Sequence, residues 1–377
     1  MSGSAVSKVL VIGGGVTGTM VSLALSQKGA DVVLVERNAD LTAIGHGITL
    51  QGNALKAFQD VGVIDEVLEH GFPFAHLRMR SADGHVIMEI PTPPMGGPGL
   101  PGTAGAMRSD LATILRNAVV AAGVDVRLAT TVESLDDGGD GVTATLSDGS
   151  TVEADLVIGA DGIRSRTREM IGIQAEVRPV GMGIWRVVAP RPEEMDCSEL
   201  YYGGPKYKAG YTPISPDHCY AFLLEENLDR SFIGEHPNGH VMKEHGQGYG
   251  GTWGRIRDAL PDDAIVNYQW IETVCVEEPW HRGRVVVIGD AAHACPPLIA
   301  QGAAMCAEDA VVLADELTKT DDLPAALSSF MARRFPRVKM VLDNSLLLAE
   351  WEMHPDTPGA DPGRIMGQTL HALCEPA

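Results

Sequence analysis

Apolar and polar positions along the chain follow two periods, separated by glycine-rich punctuation. Lys8-Val-Leu-Val-Ile12 is an apolar run leading directly into Gly13-Gly-Gly15-Val-Thr-Gly18, then a helical pattern over Thr19–Gln27, then Gly29 and a second run, Asp31-Val-Val-Leu-Val-Glu36. Short apolar runs bounded by glycine predict buried strands, so this stretch reads as strand, tight turn, helix, strand. The strand-into-turn pattern recurs at Asp155-Leu-Val-Ile158 before Gly159-Ala-Asp-Gly162, and at Arg284-Val-Val-Val-Ile288 before Gly289-Asp290. Helices are predicted from the cap Ser109-Asp110 to Ala122, from Gly302 to Leu317, and from Leu323 to Glu352 with a kink at Pro336. Strands are predicted at His76–Arg80 and His85–Ile90, joined by Ala82-Asp-Gly84. Val124–Leu128, Val132, Val142–Leu146 and Thr151-Val152 are expected to form a small antiparallel group. From Val177 to Cys275 strict alternation returns, with most of the tyrosines, predicting a β-rich module with a concave aromatic surface.

The glycine turn carries the first chemistry. Gly13 permits the turn, Gly15 lets backbone approach a pyrophosphate, and Gly18 lets helix and strand pack closely. The helix start offers free N–H groups and partial positive charge to a diphosphate, and Glu36 closes the second strand where a ribose acceptor belongs. Asp161 and Asp290 each stand in a turn past the carboxyl end of a buried strand, the position where open α/β sheets bind ligands.

Composition narrows the class. At 377 residues the chain predicts two domains sharing a core, and a net charge of -21 argues against nucleic acid and anionic membrane as partners. Six cysteines without a CxxC pair or His/Cys ligand spacing predict buried thiols and no metal site. No apolar stretch reaches membrane-span length, and Met1-Ser-Gly-Ser runs into the first strand without a signal-like segment. A cytoplasmic protein without stable membrane association is expected.

Read together, the three turns make the chain resemble the group A flavoprotein monooxygenases, the aromatic hydroxylases related to p-hydroxybenzoate hydroxylase. The likeness covers about residues 6–175 and 275–345. Its dinucleotide turn is matched by Gly13, Gly15, Gly18 and Glu36, its DG motif by Gly159-Ala-Asp-Gly-Ile-Arg-Ser-Arg-Thr-Arg168, and its GD motif by Gly289-Asp-Ala-Ala-His293. Pro296-Pro-Leu-Ile-Ala-Gln-Gly-Ala303 matches the segment beneath the isoalloxazine, Met107-Arg-Ser-Asp-Leu111 the arginine before a helix, and Arg333-Arg-Phe-Pro-Arg337 the late helix. Ala300 departs from the family's usual glycine, which matters only if its φ is positive.

The resemblance implies an α/β fold: a Rossmann-like FAD-binding domain of glutathione reductase type with an inserted β-rich substrate domain and a C-terminal helical region. The expected division is residues 1–75, 104–176 and 276–345 for FAD, 76–103 and 177–275 for substrate, and 346–377 as a helical tail. It implies FAD contacts from Gly13, Gly15, Val16, Thr17, Gly18, Glu36, Arg37, Arg108, Val132, Asp161, Asp290, Pro297, Gly302 and Ala303. The chemistry it implies is reduction of FAD by transiently bound NAD(P)H, O₂ addition to give a C4a-hydroperoxide, and hydroxylation of a small aromatic or heteroaromatic substrate. Pro297 would line the reaction centre. Arg186 is the candidate for a substrate carboxylate or phenolate, and Tyr211, Tyr220, Tyr201 and His218 are candidates for polarising a phenol. His46 and Gln51 are candidates for approaching the flavin from the other side, His293 for a structural role, and Arg164 and Arg168 for nicotinamide contact. The alternatives are a flavin-dependent reductase or other oxidoreductase on the same scaffold, or a non-catalytic binding protein of this fold.

Overall fold

In the computed structural model, which describes residues 5–41, 45–229 and 237–377, the three strand-ending turns lie side by side. Met1–Ser4 fall outside the described residues. Strand Lys8–Ile12 pairs in parallel with Asp31–Val35 on one side and Leu156–Gly159 on the other, and Leu156–Gly159 pairs in parallel with Val285–Val287. Ile12 is in register with Gly159, and Gly159 with Val287, so all three turns leave the sheet at one edge. These strands are buried on both faces, which is why they read as continuous valine, leucine and isoleucine.

One correction concerns the edge. The segment expected in the small antiparallel group, Val124–Leu128, supplies strand Asp125–Arg127, which pairs in parallel with Asp31–Val35. Helix Arg108–Ala121 is the crossover that brings it there. The antiparallel group proper is Val132–Asp137, Val142–Leu146 and Thr151–Ala154, and it covers one face of the parallel sheet. Helices Val16–Gln27, Gly302–Lys319 and Leu323–Met353 cover the other.

The second large sheet has seven strands, in the order Asn267–Thr273, Arg178–Pro190, His218–Glu226, Lys208–Pro213, Ser198–Tyr202, His76–Ser81, Val86–Pro91. One face packs on helices Gly239–His245 and Gly251–Ala259 through Trp185, Tyr201, Tyr211 and Trp253. The other faces the FAD-type domain. Helix Leu323–Met353 runs without a break through Pro336, so the expected tail boundary at residue 346 falls inside it. After it comes one more helix, Pro362–Ala372. No helix among the described residues is long and apolar enough to cross a membrane.

Candidate functional site

The turns interlock through their glycines. Gly13 has φ +106°, and a Cβ there would meet Ala160 O at 2.5 Å; a Cβ on Gly18 would meet Gly13 O at 1.8 Å. Gly289 has φ +61° and lies against Thr17. A Cβ on Gly15, by contrast, would meet nothing within 4 Å, so the chain is open where a ligand must approach. Glu36 accepts from Gly14 N at 2.7 Å and Asn38 N at 2.8 Å, and thereby holds the turn's shape. Arg168 is buried and donates to Ala291 O at 2.7 Å and Ile163 O at 3.1 Å, tying the second turn to the third.

A cavity of about 1180 Å³ opens from this edge. Of the residues expected at the site, Gly15, Val16, Thr17, Arg108, Arg186, Asp290, Pro297, Gly302 and Ala303 line it. Gly13 and Gly18 sit just behind the wall as packing positions. Asp161 does not line it; its carboxylate accepts from Ser165 Oγ, Thr167 N and Thr167 Oγ1 and caps its own turn. Val132 is buried beneath the small antiparallel sheet, and Arg37 is exposed beyond the second strand.

Tyr211 is the clear correction. It is 1 % exposed on the far face of the seven-stranded sheet, its hydroxyl donating to Glu199, among Tyr201, Arg78 and Arg80. Burial, then its neighbour Tyr201, pushes that phenol up. The alternation of a strand sends odd- and even-numbered residues to opposite faces, and residue 211 falls on the wrong one. Tyr220 and Thr212 fall on the cavity face instead. His218 is exposed. Arg164 is exposed at the cavity rim and forms a two-oxygen pair with Glu272, whereas Arg168 lies inside the core and is no surface contact.

Two helix starts face the cavity without side-chain caps: Val16–Gln27 behind Gly15, and Gly302–Lys319 behind Gln301. Both present positive partial charge. Asp290 opens helix Asp290–His293; it is accessible to the cavity yet crowded by protein, and that desolvation pushes its carboxyl up. Its one side-chain partner among the described residues is the weak thiol donor of Cys306, at 3.7 Å. An open glycine, two uncapped helix starts and an acid with spare acceptor capacity are what a diphosphate and a polyhydroxyl chain require. The residues fit FAD.

On the cavity's other side stand cations. Arg108 makes no side-chain hydrogen bond among the described residues; burial, then Arg186, lowers its pKa. Among the described residues, the one side-chain hydrogen bond of Arg186 is to Gln269 Oε1, at 3.3 Å. His46 is half-buried beside both, and burial, then Arg186 and Arg108, lower its pKa to about 4. Elsewhere, His76, Asp196 and Cys197 bring potential ligand atoms within 4.8 Å of one another. Arg78 donates to Asp196 Oδ1 at 2.9 Å and lies 2.9 Å from His76 Nε2, so a guanidinium holds that corner.

Under the third turn lies a closed ion network. Asp309 accepts from Gly289 N at 2.9 Å and Arg334 Nε at 2.8 Å, and lies 2.5 Å from His293 Nε2. Glu308 accepts from Arg334, Arg337 and Asn53, and Asn53 donates on to Gln301. Burial opposes ionisation of both carboxylates, but His293 and Arg334 hold Asp309 low, and Arg334 and Arg337 hold Glu308 low. Between the network and the cavity, Ala300 has φ +54° and ψ +38°, left-handed, and ends the short turn Pro297–Ile299.

The sequence pattern of the FAD binding domain family matches residues 6–216 and 257–345. The protein YetM of Bacillus subtilis (strain 168) is 32 % identical over 97 % of this chain and 99 % of its own. The 2-heptyl-3-hydroxy-4(1H)-quinolone synthase of Pseudomonas aeruginosa (strain UCBPP-PA14) is 32 % identical over 91 % of this chain and 90 % of its own. Among solved structures, the tetrameric form of 2-methyl-3-hydroxypyridine-5-carboxylic acid oxygenase superposes with a TM-score of 0.80 at 25 % identity, over 97 % of this chain and 95 % of that one.

Proposed function

The chain belongs to the FAD-binding family of flavoprotein monooxygenases that includes the aromatic hydroxylases, and on that premise we propose that it hydroxylates an aromatic or heteroaromatic small molecule, consuming NAD(P)H and O₂. Bound FAD supplies the redox chemistry, hydride acceptance from the nicotinamide and activation of O₂. The residues have narrower tasks. Asp290 would accept hydrogen bonds from the flavin chain's hydroxyls, and the uncapped helix starts behind Gly15 and Gln301 would help to hold the cofactor. Pro297 lines the reaction centre. Arg186 holds an acidic or phenolic oxygen and so fixes the ring's orientation. Tyr220 takes the polarising role for which Tyr211 is placed too far away. His46, kept neutral by burial and then by Arg186 and Arg108, stands beside that cationic pair as an uncharged neighbour. The seven-stranded module serves as the substrate side and the parallel-sheet domain as the cofactor side.

One observation carries this reading: a single cavity runs from Gly15 past Asp290 and Pro297 to Arg186, so the expected cofactor and substrate walls border one continuous space. The relatives' names, a quinolone synthase and a pyridine-carboxylic acid oxygenase, support a heteroaromatic ring. The test is oxygen uptake by purified protein with NADH or NADPH and a panel of phenolic and heteroaromatic acids. Uptake stimulated by one compound, with little O₂ returned on adding catalase, is the expected result. Stimulation by none of the panel with either donor would count against the reading.

A further inference from the structure

The cavity face of the seven-stranded sheet carries an apolar patch, Ile184, Phe222, Leu224 and Leu200, set among polar residues, and the C-terminal helix roofs that patch. Residues directly opposite each other in a sheet share a face, and residues two apart repeat on it about every 6.8 Å. The pairing therefore sorts the face into three rows. Tyr220, Thr212 and Ser198 form the first, and Arg186, Phe222 and Leu200 the second. Ile184 and Leu224 are the centre of the third, with Gln269 at one end and Lys208 and Tyr202 at the other. Lys208 is closed off at the far side by Glu352, at 2.6 Å.

Against the apolar part of the second and third rows pack Leu298, from the turn after Pro297, and Met366 and Leu370, from helix Pro362–Ala372. Among the described residues, the hydrogen bonds that tie that helix to other elements lie toward its C-terminal end. Arg337 donates to Leu373 O at 3.0 Å and Glu375 O at 3.0 Å, and Asn344 Nδ2 to Thr369 Oγ1 at 2.7 Å. Its first turn, over the cavity, hydrogen-bonds among the described residues only to the cap Asp361 and within the helix. Apolar contact is what seats it.

We propose that the C-terminal helix is a wall of the substrate site, with Met366 and Leu370 as specificity-determining residues that receive an apolar substituent on the ring held at Arg186. This rests on the aromatic-substrate reading above. The substrate class becomes an amphipathic one: a polar ring at the second row, and an alkyl or comparable apolar arm running toward the third row under Met366 and Leu370. Arg337 acts on this wall as a positioning residue, because the same guanidinium that pairs with Glu308 holds the helix's last carbonyls.

The experiment uses the full-length holoenzyme without NAD(P)H, so that binding is read apart from turnover. Phenol and 4-alkylphenols from methyl to pentyl are titrated, and the perturbation of the flavin absorption spectrum gives each dissociation constant. In the wild type, affinity is expected to rise up to about four-fold per added methylene until the arm is filled. Met366→Glu should flatten the series, and Leu370→Ser should flatten it independently; both positions are partly exposed, so neither change buries a new polar group in a closed core. The quantity read is the pentylphenol-to-phenol ratio, which cancels any effect on the ring site. A flat wild-type series overturns the arm, and a graded series that both variants leave graded overturns the assignment to this helix. A graded series whose members yield no hydroxylated product once NADH or NADPH is added in air overturns the ring chemistry and leaves the arm standing.

Discussion

The two charged regions on either side of the Pro297 turn are built on opposite plans. Beneath it, Glu308, Asp309, Arg334, Arg337 and His293 form a network in which every charged side chain has a partner of opposite sign. Across the cavity, Arg108, Arg186 and His46 crowd one another, and the carboxylate that acts on Arg108 is Asp290, in the third turn. Paired buried charges fix geometry: they tie the third turn to helices Gly302–Lys319 and Leu323–Met353 and to Asn53. Cations that form no ion pair among the described residues are a local attraction for an anionic ligand. Charge in the first region maintains the site, and charge in the second is available to what enters it.

The comparison can be broken most forcefully at Arg334. It is fully buried, and replacing it with alanine leaves Glu308 and Asp309 short of a counter-charge. A loss of about 3–5 kcal/mol of folding stability is expected, measured by denaturant unfolding; a variant within 1 kcal/mol of wild type would show the network to be dispensable. Asp290→Ala comes next. It should fold but purify largely without flavin, because a charge-assisted acceptor contributes about 1.5–3 kcal/mol, and a full flavin complement in the purified variant would remove Asp290 from the cofactor site.

Arg186→Ala tests the open side. The apparent KM for an acidic or phenolic substrate should rise about ten-fold or more, with thermal stability unchanged or slightly improved, since the change relieves repulsion with Arg108. A drop in Tm with unchanged KM would instead make Arg186 a structural residue. The smallest effect belongs to His46. Its folded pKa of about 4 lies below its ordinary 6.5, so between those values the unfolded chain binds more protons. The stability it contributes is complete above pH 6.5 and is lost as pH falls toward 4. His46→Gln should therefore narrow its stability gap to wild type on acidification, by an amount limited by the ring's partial exposure; parallel pH profiles would show that His46 is not held neutral.

Much of the fold was legible because its signals are local. Lys8–Ile12, Leu156–Gly159 and Val285–Val287 announce themselves as buried β-branched and leucine runs, and each is followed at once by its turn. The turn at Gly13 and the close packing at Gly18 were legible for the same reason: their spacing is a property of one turn. Arg186 and Tyr211 were less legible, since both lie in alternating strands and only sheet register separates the cavity face from the core face. Arg168 looked like a surface arginine because nothing local shows that Ala291 O, 123 residues away, needs its donor. At Ala300 the sequence raised a question about φ that only the backbone could answer, and the answer is left-handed, at a cost of about 1–2 kcal/mol for a residue with a Cβ.

By itself the sequence determined the α/β class, the parallel sheet with its three strand-ending turns, the FAD family and the β-rich module, because each is written in contiguous periodicity and in the backbone demands of single turns. Only the tertiary structure decided which polar groups face the cavity, that Glu308, Asp309 and Arg334 neutralise one another, and that a helix read as a tail forms part of the wall. Those facts depend on burial and on which distant segments meet, and a charge's meaning changes from lock to lure according to whether its counter-charge lies within reach.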